Sequence, residues 1–233
     1  MIAAKDLRMP IDCTMTVLSV ILMGGTMLFP DDRVHQILGM VLLALWICHT
    51  VLNRRWYGSL LKGTYHPYRV MQLVVNMGLS ACAVLLMVSG MMMAWFLPFD
   101  VGGAISFART AHLVGSHWYY LFMCAHLGMH AGMIFGRIQA KRTARHPGAE
   151  GGSKPAAGRI VPRALLALIC AYGVYAFISR GLWNYLFLRQ QFFFFDLERG
   201  YLLFVADYLS VLVLIAAATY WLGKALQTRG RKR

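Results

Sequence analysis

Long apolar runs separated by short polar segments dominate the chain. Most of these runs approach or exceed the roughly 20 residues that an α-helix needs to cross a bilayer. The fifth run is the shortest, because Arg180 closely follows it. The pattern predicts an all-α integral membrane protein with six transmembrane helices, at residues 11–29, 34–53, 70–97, 111–135, 164–178 and 201–222.

The charged residues fall between these runs and predict how the helices are oriented. Most of the 23 Lys and Arg residues belong to the N-terminal segment, the 54–69 loop, the 137–163 loop and the tail from residue 224. By the positive-inside rule, both termini are predicted to be cytoplasmic. The first run lacks a signal-peptidase pattern, so it is predicted to stay as an uncleaved helix. The opposite side carries five basic residues: Arg33, Arg109, Arg180, Arg189 and Arg199.

Residues 141–163, rich in Gly, Pro, Lys and Arg, form the one obvious linker. This composition is typical of a mobile loop. The linker divides a predicted four-helix membrane bundle at residues 1–140 from a two-helix C-terminal part with a basic tail at residues 164–233. His146 in the linker and His66 in the preceding cytoplasmic loop are predicted to be solvated.

Composition supports the membrane assignment and excludes some other functions. The chain is 59% hydrophobic and 14% charged, against about 25% charged residues in a typical soluble domain. The net charge of +14 is explained by topology and by membrane lipid, so no nucleic-acid partner is predicted. The five cysteines lie in apolar runs without a CxxC pair, and they are predicted to be small buried hydrophobic residues.

An aromatic segment at residues 181–200 follows the fifth run. We interpret it as an extension of the fifth helix followed by an interfacial turn at the outer face, where Trp and Tyr are common. It either anchors and packs the helix or forms one wall of a quinone pocket.

Two apolar runs each carry a pair of histidines at the same spacing. His35 and His49 are fourteen residues apart, and so are His112 and His126. In an α-helix this spacing advances roughly 21 Å and falls about 40° short of four full turns. Each pair therefore lies on one helix face, with its members near opposite sides of the membrane.

The second and fourth helices are predicted to run parallel, which pairs His35 with His112 near the outer face and His49 with His126 near the inner face. Ionisable residues inside a membrane are costly and usually functional. We expect these four residues to ligate the irons of two b-type haems, each held by two histidines. Arg54 and Arg109 are placed to pair with haem propionates, although each is also a candidate for ordinary snorkelling to the membrane edge.

The fourth helix carries two further histidines. His130 shares the face of His112 and lies about 6 Å beyond His126, so either His126 or His130 can be the inner ligand. His117 lies about 140° around the helix from His112 and is predicted to point elsewhere. Small residues near the pairs either admit haem or allow close helix packing: Gly39, Ser89, Gly90, Gly115 and Gly128.

Two other interpretations stay open. Histidines near helix ends also occur as interfacial groups, and a His-lined path for iron or zinc transport, or a membrane accessory protein without redox activity, fits the same residues. We expect no carboxylate side chain within the firm spans, whereas transport of divalent cations usually uses carboxylates. No nucleotide fingerprint or flavin domain is present, so a redox enzyme would need a partner protein.

Sequence blocks around these histidines resemble known proteins in two ways. The spacing is similar to that of the cytochrome b subunit of quinol-oxidising complexes. The blocks at residues 35–57, 89–95, 125–132 and 172–188 resemble a family of bacterial membrane proteins catalogued as domain of unknown function 4405. That resemblance implies a four-helix histidine-bearing core, a b-type haem role and a location in the bacterial cytoplasmic membrane. We expect electron transfer with quinone or quinol and with an unidentified redox partner protein, as the cytochrome subunit of an oxidoreductase.

Overall fold

The structure is a computed structural model that describes residues 4–25, 28–29, 31–60, 62–96, 102–145, 157–193 and 200–230. The described part of the chain is almost entirely helical. Residues 146–156, which include His146 and much of the predicted linker, lie outside the described residues. In chain order the helices are α1 Ala4–Leu22, α2 Asp32–Leu52, α3 Arg54–Tyr57, α4 Pro67–Met92, α5 Ala104–Arg145, α6 Ala157–Ser179, α7 Leu182–Leu186 and α8 Gly200–Gly230.

Five described helices are long and apolar enough to cross a membrane, namely α2, α4, α5, α6 and α8. Their outward faces carry many exposed large apolar side chains, as expected where a helix contacts lipid. The chain is therefore a multi-pass all-α membrane protein. The predicted first span corresponds to α1, which ends earlier than expected, at Leu22, and is not among the five.

Helix α5 is the centre of the packing. It packs extensively against α4 and α8, and α8 in turn packs against α6. Helix α1 lies mainly against α2, which makes only slight contact with α4. The buried core draws on both predicted parts of the chain, with α5 and α8 supplying its largest fully buried side chains: Tyr120, Cys124, Phe204 and Val211.

Close packing between helices relies on two glycines. A Cβ atom at Gly128 of α5 would clash with the backbone of Ala216 in α8, and one at Gly173 of α6 would lie 2.6 Å from the Ser210 carbonyl oxygen. Small residues permit this approach, as is usual between membrane helices. At Gly128, the packing interpretation is therefore the one that the structure supports.

The prediction that the fifth helix extends into the aromatic segment is wrong. Helix α6 stops at Ser179, and Gly181 has a φ of 61°, a left-handed conformation that breaks the helix and that glycine adopts without steric cost. The short helix α7 follows and packs against α5, where the Trp118 indole donates a hydrogen bond to the Leu186 carbonyl at 3.0 Å. Residues 194–199 of this segment lie outside the described residues.

The predicted burial of the cysteines holds only in part. Cys124 is buried, Cys82 and Cys170 are partly buried, and Cys13 and Cys48 are exposed on the helix surface. The two exposed cysteines lie on α1 and α2. Each of the five is a free thiol in the structure.

Candidate functional site: two histidine pairs between α2 and α5

The outer histidine pair joins α2 to α5. The ring centres of His35 and His112 are 6.3 Å apart, and their planes are inclined at 67°. The Phe29 ring lies 6.2 Å from His35 and closes one side of this pair. The structure thus brings together the two residues that the spacing predicts as partners.

The inner pair repeats this geometry further along the same two helices. The ring centres of His49 and His126 are 6.4 Å apart, with planes inclined at 74°. Two pairs at different depths therefore have almost the same separation. The predicted parallel course of α2 and α5 accounts for this repetition, since both members of each pair advance equally along the membrane normal.

The backbones of α2 and α5 barely approach each other within the described residues. Side-chain rings therefore span the gap between the two helices, without the backbone contact seen between α5 and α8. Leu42 is the one residue of α2 that is fully buried. A Cβ atom at Gly39, one turn after His35, would meet no described atom within 4 Å. Gly39 therefore packs against no described neighbour on its Cβ side.

Three of the four rings have a hydrogen-bond partner at Nδ1. The His49 ring meets the Asp12 carboxylate at 2.7 Å, and the His126 ring meets the Asn76 side-chain oxygen at 2.8 Å. Both partner oxygens only accept hydrogen bonds, so each Nδ1 carries the proton. The Nε2 atom of each ring then carries the lone pair, which is the form that binds metals. At His49 the Asn53 side-chain amide also lies 3.5 Å from Nε2.

Ser89 acts in the same way on the outer ring of α5. Its hydroxyl donates to the Leu85 carbonyl at 2.6 Å, so towards His112 Nδ1, 3.1 Å away, its oxygen is left to accept. His35 differs, because its buried Nδ1 has no hydrogen-bond partner of normal geometry among the described residues. The Gly25 backbone lies near this ring.

The extra histidines of α5 take different positions. The His130 ring lies 4.7 Å from the His126 ring, on the side of the inner pair. His126 is the ring that faces His49 and is held by Asn76, and this favours His126 as the inner ligand. His117 points away from both pairs, as predicted, and stacks on Tyr185 at 4.4 Å. Its Nδ1 donates to the Leu113 carbonyl at 2.8 Å.

The other predicted site residues lie around the pairs. Arg54 and Arg109 are exposed near opposite ends of the gap; their roles towards propionates stay predictions. A Cβ atom at Gly90 would lie 3.3 Å from the His112 ring, so the absence of a side chain there lets the ring sit against α4. Gly115 lies against Leu85 and Leu86, where it serves helix packing. Ser89 holds a ring by a hydrogen bond, a role that the small-residue interpretation did not anticipate.

The separation within each pair distinguishes between kinds of metal geometry. With a metal–nitrogen bond of about 2 Å and about 1.1 Å from that nitrogen to the ring centre, two imidazoles on opposite sides of one metal have centres roughly 6.2 Å apart. At a tetrahedral angle the same distance is roughly 5 Å. Both separations, 6.3 and 6.4 Å, are closer to the opposed value than to the tetrahedral one. Within the described residues, no group of three or more His, Cys, Asp or Glu side chains is arranged to hold a bare metal ion.

A second buried polar cluster lies between α6 and α8. Arg180 donates to the Asp207 carboxylate at 2.7 Å, and the Tyr172 hydroxyl donates to the other carboxylate oxygen at 2.5 Å. The side chain of Asp207 is 3% exposed. The expectation that the spans contain no carboxylate is therefore wrong, both here and at Asp12 of α1. A single Asp within an apolar run, with an Arg directly after the end of the preceding long helix, was the sequence signal for this ion pair.

Comparison with protein-family models, with curated proteins and with solved structures finds no match for the chain. The resemblance drawn from the sequence blocks therefore stays a prediction, and the geometry of the two histidine pairs is the evidence from which function is argued.

Proposed function

We propose that the chain is a di-haem b-type membrane cytochrome that carries electrons between the two sides of a membrane. One observation carries the proposal. Two histidine pairs join the same two helices at two depths, and both have the separation of opposed ligands on one metal, 6.3 and 6.4 Å. A single such pair is an ordinary ring contact, whereas two histidine pairs of almost equal separation along two parallel helices support two sites of the same kind.

The residues that would hold each haem are His35 with His112 and His49 with His126. Haem iron supplies one-electron oxidation and reduction, and two histidine ligands leave no open position for oxygen chemistry. The protein's contribution is to fix the rings and exclude water. Asp12, Asn76 and Ser89 hold three rings with Nδ1 protonated, and apolar spans surround both pairs.

Six spans with both termini in the cytoplasm belong to the same proposal. The basic loops and tail support this orientation, and a bacterial cytoplasmic membrane is the location that the sequence resemblance implies. Because one span, α4, lies between them, α2 and α5 run parallel, and a cytoplasmic N-terminus directs both from the outer to the inner face. Electrons entering at one pair then leave at the other, roughly 21 Å away along the helices.

Quinone or quinol and a redox partner protein are the proposed exchange partners, which makes the chain the membrane subunit of an oxidoreductase. A cavity of about 280 Å³ opens near the start of α4 and supports an exchange site at the inner face. Its lining includes Trp56, Tyr65 and Gln72, and Gln72 lies one helical turn from Asn76, which holds the inner ring of α5. Two of the nine lining residues are aromatic and three are basic, so the cavity suits a partly polar ligand.

One observation favours a second candidate, a site for a bare metal ion at the inner end. His130 lies 4.7 Å from His126, and Asp12 adds a carboxylate beside His49, but these side chains would have to move, because the described residues do not form a group arranged to hold a bare ion. Such a site would take zinc or iron through mixed nitrogen and oxygen ligands. It gives no role to the outer pair, and for that reason we prefer the cytochrome.

The test is to replace one histidine at a time by alanine and to count haem by the pyridine haemochrome method. His35→Ala and His112→Ala should each leave one haem per chain, and so should His49→Ala and His126→Ala. His66→Ala is the matched control, because His66 is an exposed histidine at the start of α4. Full haem content in all four variants would contradict the proposal, as would bound zinc that disappears with His126.

A further inference from the structure

The two histidine pairs differ in the groups that contact the Nδ1 atoms of their rings. Behind the inner pair stand the carboxylate of Asp12 and the side-chain oxygen of Asn76. Among the described residues, the outer pair has the Ser89 hydroxyl oxygen at His112 and no partner of normal geometry at His35. The Asp32 carboxylate acts electrostatically on His35, but within the described part of the chain the inner site alone has a carboxylate in direct contact with a ring.

Helix α1 is held against the inner end of α2 by two contacts from one of its faces. Arg8 and Asp12 are one turn apart on α1. Arg8 donates to the Leu52 carbonyl at 2.9 Å, where it satisfies a carbonyl at the C-terminal end of α2, and Asp12 meets His49 three residues earlier in the same helix. Asn53 adds a hydrogen bond to the His49 carbonyl at 2.9 Å. The Arg8 and Asp12 contacts fix the register of α1 and so the position of the carboxylate beside the His49 ring.

We propose that Asp12 is a positioning residue for His49 that lowers the reduction potential of the inner haem and distinguishes it from the outer one. The inference rests on the proposed function and adds to it a difference between the two sites. It also gives α1 a role in redox tuning, although α1 carries no ligand. Asn76 and Ser89 are neutral partners that fix ring orientation.

The physical reason is the effect of a carboxylate on the imidazole that it contacts. A carboxylate that accepts the Nδ1 proton makes the other ring nitrogen a stronger electron donor. Stronger donation, together with the added negative charge, favours the ferric over the ferrous state and so lowers the potential. Hydrogen bonding behind an axial ligand is one of the ways in which proteins set haem potential.

Other charged or titratable groups face the inner pair as well. His130 lies beside His126, and Arg54 and Arg55 follow α2 at the inner end. Positive charge at that end would raise the potential, in opposition to Asp12. A comparison of variants that differ only at residue 12 keeps these groups constant and isolates the carboxylate.

The experiment is a potentiometric titration of Asp12→Asn beside the wild-type chain, each also in a His35→Ala background that retains only the inner haem. Asparagine keeps an oxygen that can accept the Nδ1 proton but removes the charge. We expect a haem content close to that of the parent chain and a raised potential for the inner haem, with the outer haem unmoved. Asp12→Ala, which removes the oxygen too, should weaken haem retention at the inner site about 10- to 100-fold.

Asp31→Asn is the matched control. Asp31 is an exposed carboxylate that caps the opposite end of α2, and asparagine caps a helix about as well as aspartate. This change should leave the inner potential where it is. An inner potential unmoved by Asp12→Asn, or an equal movement of both haems, would overturn the inference while leaving the cytochrome intact. A wild-type chain that binds no haem would overturn the proposed function itself.

Discussion

Helix α5 meets its neighbours α8 and α2 in two different ways, and we call these two contact regions the α8 seam and the α2 seam. On the side of α8 the backbones touch, with Gly128 against Ala216, and the buried Tyr120 hydroxyl donates to the Tyr208 carbonyl. On the side of α2 the backbones stand apart, and histidine rings reach across. The same helix is therefore packed tightly on one side and held at a distance on the other.

The difference shows what each seam is built to do. At the α8 seam, small residues let the helices approach until van der Waals contact and hydrogen bonds stabilise the fold. At the α2 seam, three ring nitrogens have hydrogen-bond partners, and the two backbones barely approach within the described residues. We interpret the first seam as structural and the second as a space kept for a ligand that the histidines bind.

The largest expected effect is on stability, at the buried Arg180–Asp207 ion pair between α6 and α8. Asp207→Ala would leave Arg180 charged and without its carboxylate, in a site where the two side chains are 11% and 3% exposed. Removal of one partner of a buried pair typically costs about 3–5 kcal/mol of stability. A thermal unfolding scan in detergent should show a large fall in the midpoint.

The double variant Arg180→Met with Asp207→Leu is the control for that change, because paired apolar residues remove both charges together. It should recover most of the lost stability. If the single and double variants unfold at the same temperature, the ion pair is not what supports the α6–α8 contact.

Alanine at two glycines of α5 should change the stability by smaller amounts, and in opposite directions. Gly128→Ala places a Cβ atom against the Ala216 backbone and should destabilise by about 1–3 kcal/mol, the usual cost of overpacking. Gly136→Ala, at an exposed position of the same helix with no described atom within reach of the new Cβ, should stabilise by up to about 1 kcal/mol through helix propensity. Both are measured by thermal unfolding, and equal effects would show that the α8 seam is looser than described.

The smallest expected effect is at His130. His130→Ala should leave two haems per chain, because His126 faces His49 and is held by Asn76 at 2.8 Å. Haem count and the visible spectrum check this. Loss of the inner haem in His130→Ala but not in His126→Ala would transfer the ligand role by one helical turn.

Much of the fold was predictable from the distribution of apolar residues alone. The second, third, fourth, fifth and sixth runs each contain a membrane-length helix, because an isolated apolar run in lipid must satisfy its backbone internally. The helix ends were less predictable. Gly181 ends the helical path after α6 with a left-handed conformation. The position of this break depends on where α7 can pack against α5.

The histidine pairing was also predictable, because fourteen-residue spacing and helix direction are both properties of the sequence. The partners behind the rings were not. Asp12, Asn76 and Ser89 belong to two other helices, α1 and α4, and their positions depend on the rotation of those helices about their axes. Asp207 was overlooked for a simpler reason, since one carboxylate in a long apolar run hardly changes the hydropathy of that run.

The measurement that tests the central claim most directly is a dithionite-reduced minus oxidised absorption spectrum of the purified wild-type chain, with a pyridine haemochrome count, after expression with ample haem. We expect sharp b-type bands and close to two haems per chain. A colourless protein without haem would contradict the cytochrome and leave the α2 seam to a different ligand.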